Sequence, residues 1–538
     1  MRRLQASLSS RRRLPVGAAV VTAAVVAVAG CTQASSGSTG PGGASQDPDP
    51  PSGVTQAGHV HWQACASATS PRLLCAALPV PLDYSHPGGR KITLALQEVP
   101  ATAPPGSRLG ILLLNPGGPG GSSTSPSLAA FVAQGLPRSV ASRYDIIGFD
   151  TRGVGASVPA LHCEPNFFAR ERPDYIPANA AAEQVLIGRA RAYAAGCTAR
   201  FGWLLPFMTT ANIARDMDQI RSALGQPKLS YLGYSYGTYI GQVYATLFPH
   251  RVYRMVLDST TDPTGAWYAD NIAQDYAFQA RYEAFFRWVA RYDRLYHLGA
   301  TATAVSAAWH AARARLAAHP VAEPAGPAIG PAEFDDTYLA GGYDNGYWPQ
   351  LAGALAAYLH QGVTTGLQSV FLTGGRQGLT ESALENEYAV YNAIQCADAA
   401  WPRNWSKWNA DTRRVYATAP LEAWDNAWYN AACAFWPVHG PAKPMSIGAP
   451  GLPGILMLQG TLDGPTPYAG AQNAHRLLPT ARMVVVVNGG NHGQALAYPP
   501  NPCVNGYLAR YLATGALPQR PGLVNATCPA LPDPVPSG

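Results

Sequence analysis

Charge is scarce in this chain. Only 13% of its 538 residues are Asp, Glu, Lys or Arg, and lysine supplies just four of the 38 basic positions. The net charge of +6 rests on the first thirty residues, which hold five arginines and no acid; without them 33 basic residues face 32 acidic ones. A body so nearly neutral has no electrostatic means of gathering a polyanion, which excludes nucleic acid as a partner. Metal-ligand spacings are missing too. There is no C-x2-C and no H-x3-H, so no zinc or other metal site is expected. Beyond residue 30 no apolar run approaches the roughly 20 residues that a membrane helix needs. With 47% hydrophobic residues the chain can still bury one large core or two medium ones, so a disordered or fibrous protein is excluded as well.

What is present begins with an export signature. Arg2, Arg3 and the arginines at 11–13 precede an apolar stretch at 14–28, and Val28-Ala29-Gly30-Cys31 has the form of a lipobox. Residues 1–30 read as a signal peptide. Cleavage before Cys31, with a diacylglycerol on its sulfur, would anchor the chain to the outer face of the membrane; cleavage after Ala29 would release it. The Arg run at 11–13 leaves both the general secretory and the twin-arginine route open. Either way the destination is extracytoplasmic. Residues 31–58 are Ser, Gly, Pro, Gln and Thr with almost no large apolar side chain, a composition that cannot order itself and reads as a flexible tether. Apart from Cys31, eight cysteines remain, an even number that suits an oxidising compartment. They fall along the chain as local couples, so the pairs Cys65 with Cys75, Cys163 with Cys197, Cys396 with Cys433 and Cys503 with Cys528 are expected.

From residue 59 onward apolar strand patterns alternate with helical ones, which predicts an α/β fold with a mostly parallel sheet covered on both faces. Strands are expected at 91–99, 109–114, 144–149, 229–232, 252–257, 455–458 and 483–487, and an amphipathic helix at 211–224 closed by Gly225. Gly233-Tyr234-Ser235-Tyr236-Gly237 lies between the strand at 229–232 and a helical stretch at 238–248. G-x-S-x-G in a strand-turn-helix setting is a nucleophile elbow, with Ser235 as the nucleophile. A serine needs a base, an acid to orient that base and donors for the oxyanion. Asp463 follows the strand at 455–458, and His492 follows the strand at 483–487. The order Ser, Asp, His is that of the α/β-hydrolases. The run Asn115-Pro116-Gly117-Gly118-Pro119-Gly120-Gly121-Ser122 follows another strand, and no phosphate-loop motif accompanies it. Its glycines let main-chain N–H groups approach a substrate, so the oxyanion hole is assigned to the N–H of Tyr236 and one from Gly117 or Gly118.

Taken together, GYSYG, NPGGPGGS, DIIGFDTRGVGAS at 145–157, TLDGPTP at 461–467 and GGNHG at 489–493 resemble the secreted actinobacterial tripeptidyl aminopeptidases, relatives of proline iminopeptidase. The resemblance covers nearly all of the chain beyond the tether. It implies an α/β-hydrolase fold with a large, mainly helical cap inserted into it, which covers the nucleophile and limits substrate length. About 195 residues separate the strands ending near 257 and beginning near 455, far more than one crossover requires. The core is therefore expected at 59–262 and 449–538, with the cap at 263–448. Asn115-Pro116 stands where proline iminopeptidases proper carry His-Gly, which fits the tripeptidyl branch. Arg152, in the 145–157 motif, reads as a structural clasp. An aminopeptidase must also hold a free ammonium, and a carboxylate does so best. The cap offers Glu385, Glu387 and Asp398, of which Asp398 and Glu387 are the first candidates.

These readings converge on a monomeric serine exopeptidase that needs no cofactor, acts on peptides, and touches a membrane only through its lipid. A secreted carboxylesterase or lipase with the same triad is the alternative, because the machinery does not itself distinguish ester from amide. A binding lipoprotein on a hydrolase scaffold would be expected to lack a triad residue, and none is missing.

Overall fold

The computed structural model describes residues 60–536, apart from 67–69, 170, 322–327 and 376–377. The expected signal at 1–30, the lipidation of Cys31 and the tether at 31–58 lie outside the described residues. Ten strands form one sheet: β1 (Gln63–Ala64), β2 (Leu74–Pro81), β3 (Lys91–Val99), β4 (Gly110–Asn115), β5 (Tyr144–Phe149), β6 (Leu229–Tyr234), β7 (Val252–Asp258), β8 (Ile455–Gly460), β9 (Ala481–Val487) and β10 (Ala526–Pro529). Their spatial order is β1-β2-β3-β5-β4-β6-β7-β8-β9-β10. From β5 to β10 all neighbours run parallel, and β1 to β3 add an antiparallel edge. The seven strands expected from the sequence are β3 to β9.

The parallel strands carry apolar residues on both faces because both faces are covered. Ile111 and Leu113 of β4, Tyr231 of β6 and Met457 of β8 join one core, while Leu112, Leu114, Leu232 and Leu458 join the core on the opposite face. The helix Thr210–Ala223 lies on the first face, capped by the Thr209 hydroxyl accepting from the Asn212 N–H, and Gly225 follows its end at φ +64°.

Between β7 and β8 the regular elements among the described residues are all helices, apart from one isolated bridge between Val321 and Ile329. The first half of this insertion, including Tyr268–Arg291, Ala302–Ala318 and Pro331–Tyr343, builds a core of its own around Phe285, Trp288, Trp309, Tyr338 and Trp348. The second half does not stand apart. Tyr388, Val390, Ile394 and Trp408 join the core that covers the sheet. No helix among the described residues is long and apolar enough to cross a membrane.

Cys65–Cys75, Cys163–Cys197, Cys396–Cys433 and Cys503–Cys528 form disulfides, the same couples that the sequence suggests. Bonds of this kind persist in oxidising compartments, which places the folded chain outside the cytoplasm. Arg152, just after β5, is fully buried and binds Asp216 with two parallel hydrogen bonds of 2.8 and 2.7 Å. Its remaining N–H groups reach the carbonyls of Leu82 and Phe207. It therefore joins three segments and is a clasp. Arg152→Ala strands the Asp216 charge in the interior and should cost about 3–5 kcal/mol of stability. Denaturant unfolding checks this, and an unchanged midpoint would refute it.

Candidate active site

The site is assembled at the carboxyl ends of the parallel strands. Between the last residue of β6 and the first of the helix Tyr236–Leu247 stands a single residue, Ser235, with φ 55° and ψ −127°. That conformation is costly for a residue with a Cβ, and the surroundings hold it in place. The Ser235 N–H donates to the Asp258 carbonyl at 2.9 Å, and its own carbonyl accepts from the Thr238 N–H at 2.8 Å and from the Thr261 hydroxyl at 3.2 Å. The turn is tight enough that a Cβ on Gly233 would come within 2.5 Å of the Gly237 carbonyl oxygen.

The glycine run after β4 lies directly against this elbow. Gly117 adopts φ +105°, and a Cβ there would lie 2.8 Å from the Ser235 Cβ and 3.1 Å from the Tyr236 nitrogen, so the approach is open to glycine alone. The Gly117 N–H is committed to the Asn115 side-chain oxygen at 3.0 Å. Among the described residues the N–H groups of Tyr236 and Gly118 donate to nothing, while that of Gly117 is already in use. Asp150 holds the far end of the run, accepting from the N–H groups of Ser123 and Thr124 at 2.8 and 3.1 Å.

Asp463 follows β8 and is 2% exposed. Its Oδ1 accepts from His492 Nδ1 at 2.9 Å and from the Thr466 N–H at 2.9 Å. The Leu462 N–H donates to the Gly489 carbonyl at 2.7 Å, tying the acid's turn to the base's loop. With Nδ1 facing the carboxylate, His492 Nε2 is the atom left to exchange a proton, and it is buried without a hydrogen-bond partner among the described residues. The Tyr343 ring meets the imidazole edge to face at 5.5 Å.

A residue that the motifs did not flag supports this loop. Asp258, fully buried at the end of β7, accepts from the N–H groups of Gln494 and Ala495 at 2.9 and 2.5 Å. Burial pushes its carboxyl up to about 6. Its one sequence signal is an acid at the end of a buried strand.

The three acids of the insertion part company. Glu385 accepts from the N–H groups of Cys163 and Glu164 at 2.8 and 3.0 Å and from the Tyr193 hydroxyl at 3.0 Å, so it anchors the Cys163 segment. Asp398 accepts from the Thr210 N–H at 2.8 Å and the Thr210 hydroxyl at 2.5 Å. Asp398, named with Glu387 as a first candidate for the amine, is thus engaged through both oxygens with the start of the helix Thr210–Ala223. Glu387 differs. Its backbone packs so closely on Gly120 that a Cβ there has no room, and its half-buried carboxylate makes no hydrogen bond or ion pair among the described residues. Burial alone pushes it up to about 7. The Tyr343 and Tyr429 hydroxyls lie within reach of its charge. Among the described residues no three His, Cys, Asp or Glu side chains come together as a metal site.

Residues 110–497 match the family model described as the alpha/beta hydrolase fold. The tripeptidyl aminopeptidase of Streptomyces coelicolor is 38% identical over 467 residues, covering 86% of this chain and 85% of that protein. Serine protease Hip1 of Mycobacterium tuberculosis is 32% identical over 85% of this chain and 89% of its own length. A second Mycobacterium tuberculosis protein, named carboxylesterase B, is 31% identical over 90% and 92%. With its fold and the order of its strand-end motifs, the chain belongs to the alpha/beta hydrolase family, as a serine hydrolase of the tripeptidyl aminopeptidase-like peptidases.

Proposed function

We propose that this protein is an extracytoplasmic serine exopeptidase, lipid-anchored at Cys31, that releases tripeptides from the free N-termini of peptides. The observation that carries the exopeptidase reading is the unpartnered Glu387 carboxylate, set against the loop that supplies the oxyanion donors. A half-buried acid without a cation of its own is suited to a substrate's α-ammonium. The relative named tripeptidyl aminopeptidase supports the same reading.

Ser235 Oγ attacks the scissile carbonyl carbon and passes its proton to His492 Nε2. Asp463 keeps the imidazole in the required tautomer and stabilises the imidazolium. The oxyanion is received by the N–H groups of Tyr236 and Gly118. His492 then protonates the leaving amine, and water, deprotonated by His492, cleaves the acyl-enzyme that carries the short N-terminal peptide. The insertion, which we delimit at 263–448, roofs the site through the Gly120 and Glu387 contact and holds the ammonium at a set distance from Ser235.

The test is hydrolysis of Ala-Ala-Pro anilide with a free N-terminus beside its N-acetylated twin, with Ser235→Ala as the blank. Cleavage of the free form alone, with release of an intact tripeptide, is the expected result. Equal cleavage of both removes the exopeptidase reading. A carboxylesterase is the second reading, favoured by the relative of that name. Cleavage of a short-chain p-nitrophenyl ester with neither anilide turned over would select it.

A further inference from the structure

His492 lies in a run of six residues that are each gripped from outside the run. On one side the end of β7 does the work. The Gly493 N–H donates to the Ser259 hydroxyl at 2.8 Å, and those of Gln494 and Ala495 to Asp258. On the other side, beside the Asp463 contact to the imidazole, the insertion grips residues 490–492. The Arg281 guanidinium fills the space that a Cβ on Gly490 would need, and it stacks on Trp348 at 5.1 Å. The Asn491 amide donates to Asp344 Oδ1 and Asn345 Oδ1, both at 3.0 Å, and its oxygen accepts from the Asn345 N–H at 3.0 Å. The His492 N–H donates to the Tyr343 carbonyl at 2.8 Å. Tyr343, Asp344 and Asn345 are consecutive, at the end of the helix Pro331–Tyr343.

The chain's last described segment braces the same turn. After β10 the Ala530 N–H donates to the Val487 carbonyl, beside the strand that leads into the base loop. Asp533 then meets Arg291 at 2.6 Å and the Asn345 amide at 3.3 Å, and the Pro534 carbonyl accepts from the Trp288 indole at 2.9 Å. The turn that holds Asn491 is therefore held in its turn by the sheet edge.

We infer that Asn491 is a positioning residue for His492, through which the insertion sets the imidazole's angle toward Ser235 and makes the base competent only when the insertion is seated. The inference rests on the reading of Ser235 and His492 as nucleophile and base. Three hydrogen bonds to one amide fix its plane, and the adjacent His492 N–H inherits that placement. A displacement of about 1 Å in a catalytic group costs on the order of 100-fold in rate.

Two variants test this. Asn491→Asp matches the side chain in size but sets a carboxylate against Asp344, and Asn491→Ala removes all three bonds. Each should lower kcat by roughly 10- to 100-fold for anilide and ester alike, with KM within about twofold of the wild type. Labelling of Ser235 by a fluorophosphonate should slow by the same factor. A residue that merely stabilises the fold would give a lowered melting temperature with kcat and labelling unchanged in the folded fraction, and that result overturns the proposal. So does a loss confined to KM. Should Asn491→Ala not fold, Asn491→Asp decides by the same criteria. Wild-type labelling at Ser235 tests the underlying reading separately, because its failure would show before any variant is made.

Discussion

Ser235→Ala is expected to lower kcat by roughly 10⁵- to 10⁶-fold for peptide anilides and for small esters, and to abolish fluorophosphonate labelling. The size follows from the way the site is coupled. The oxyanion donors and the imidazole act on a tetrahedral centre that exists only if Ser235 Oγ forms a bond, so they retain only a small residual effect without it. For the same reason Ser235→Ala combined with His492→Ala should be no slower than either alone. Asp463→Asn should cost about 10⁴-fold, since an amide facing Nδ1 favours the wrong tautomer. A Ser235→Ala protein retaining a hundredth of wild-type kcat would place the nucleophile elsewhere.

The parts of this site that were legible in the sequence share one property: each is announced by its immediate neighbours. Ser235 is bracketed by strand, glycines and helix, while Asp463 and His492 each follow a buried strand by a few residues. Because β6, β7, β8 and β9 are parallel neighbours, residues just beyond their carboxyl ends are brought to one edge by topology alone. The close approach of the glycine run to the elbow was legible, yet not which of its N–H groups stays free. That depends on the Asn115 side chain folding back onto Gly117.

The acids of the insertion show where such reasoning ends. Glu385 and Glu387 share the helix Glu381–Asp398 and stand two positions apart, about 200° around its axis, so they face opposite ways. One turns to the Cys163 segment and the other to the glycine run, and no local pattern records which neighbour each will meet. Asp398, three turns on, meets the start of another helix. The missed strands have a different cause. β2 carries two prolines, and β10 has four residues with a proline at its end, so neither shows strand periodicity. Each is bound by a disulfide, Cys75 in β2 and Cys528 in β10, and each pairs along a partner strand that supplies the regularity.

Glu387→Gln is the second large effect, and it should discriminate between substrates. Removing the charge that faces a partly buried ammonium should cost about 2–4 kcal/mol, or roughly 30- to 1000-fold in kcat/KM, for peptides with a free N-terminus. A small ester, which has no ammonium to place, should change less than about twofold. The pH dependence adds an independent sign. Burial pushes Glu387 up to about 7, and only its ionised form attracts a cation, so kcat/KM for a free-amine peptide should fall as pH drops through about 7. Above about 8 it should fall again as the substrate's own amine loses its proton. Titration of the triad affects both substrates equally, so the ratio of free-amine peptide to ester isolates the Glu387 limb. That ratio should decline toward acid in the wild type and lie flat in Glu387→Gln. A wild-type ratio that stays level from about pH 8 down to about pH 5.5 would mean that the ammonium is held by some other group, or by none.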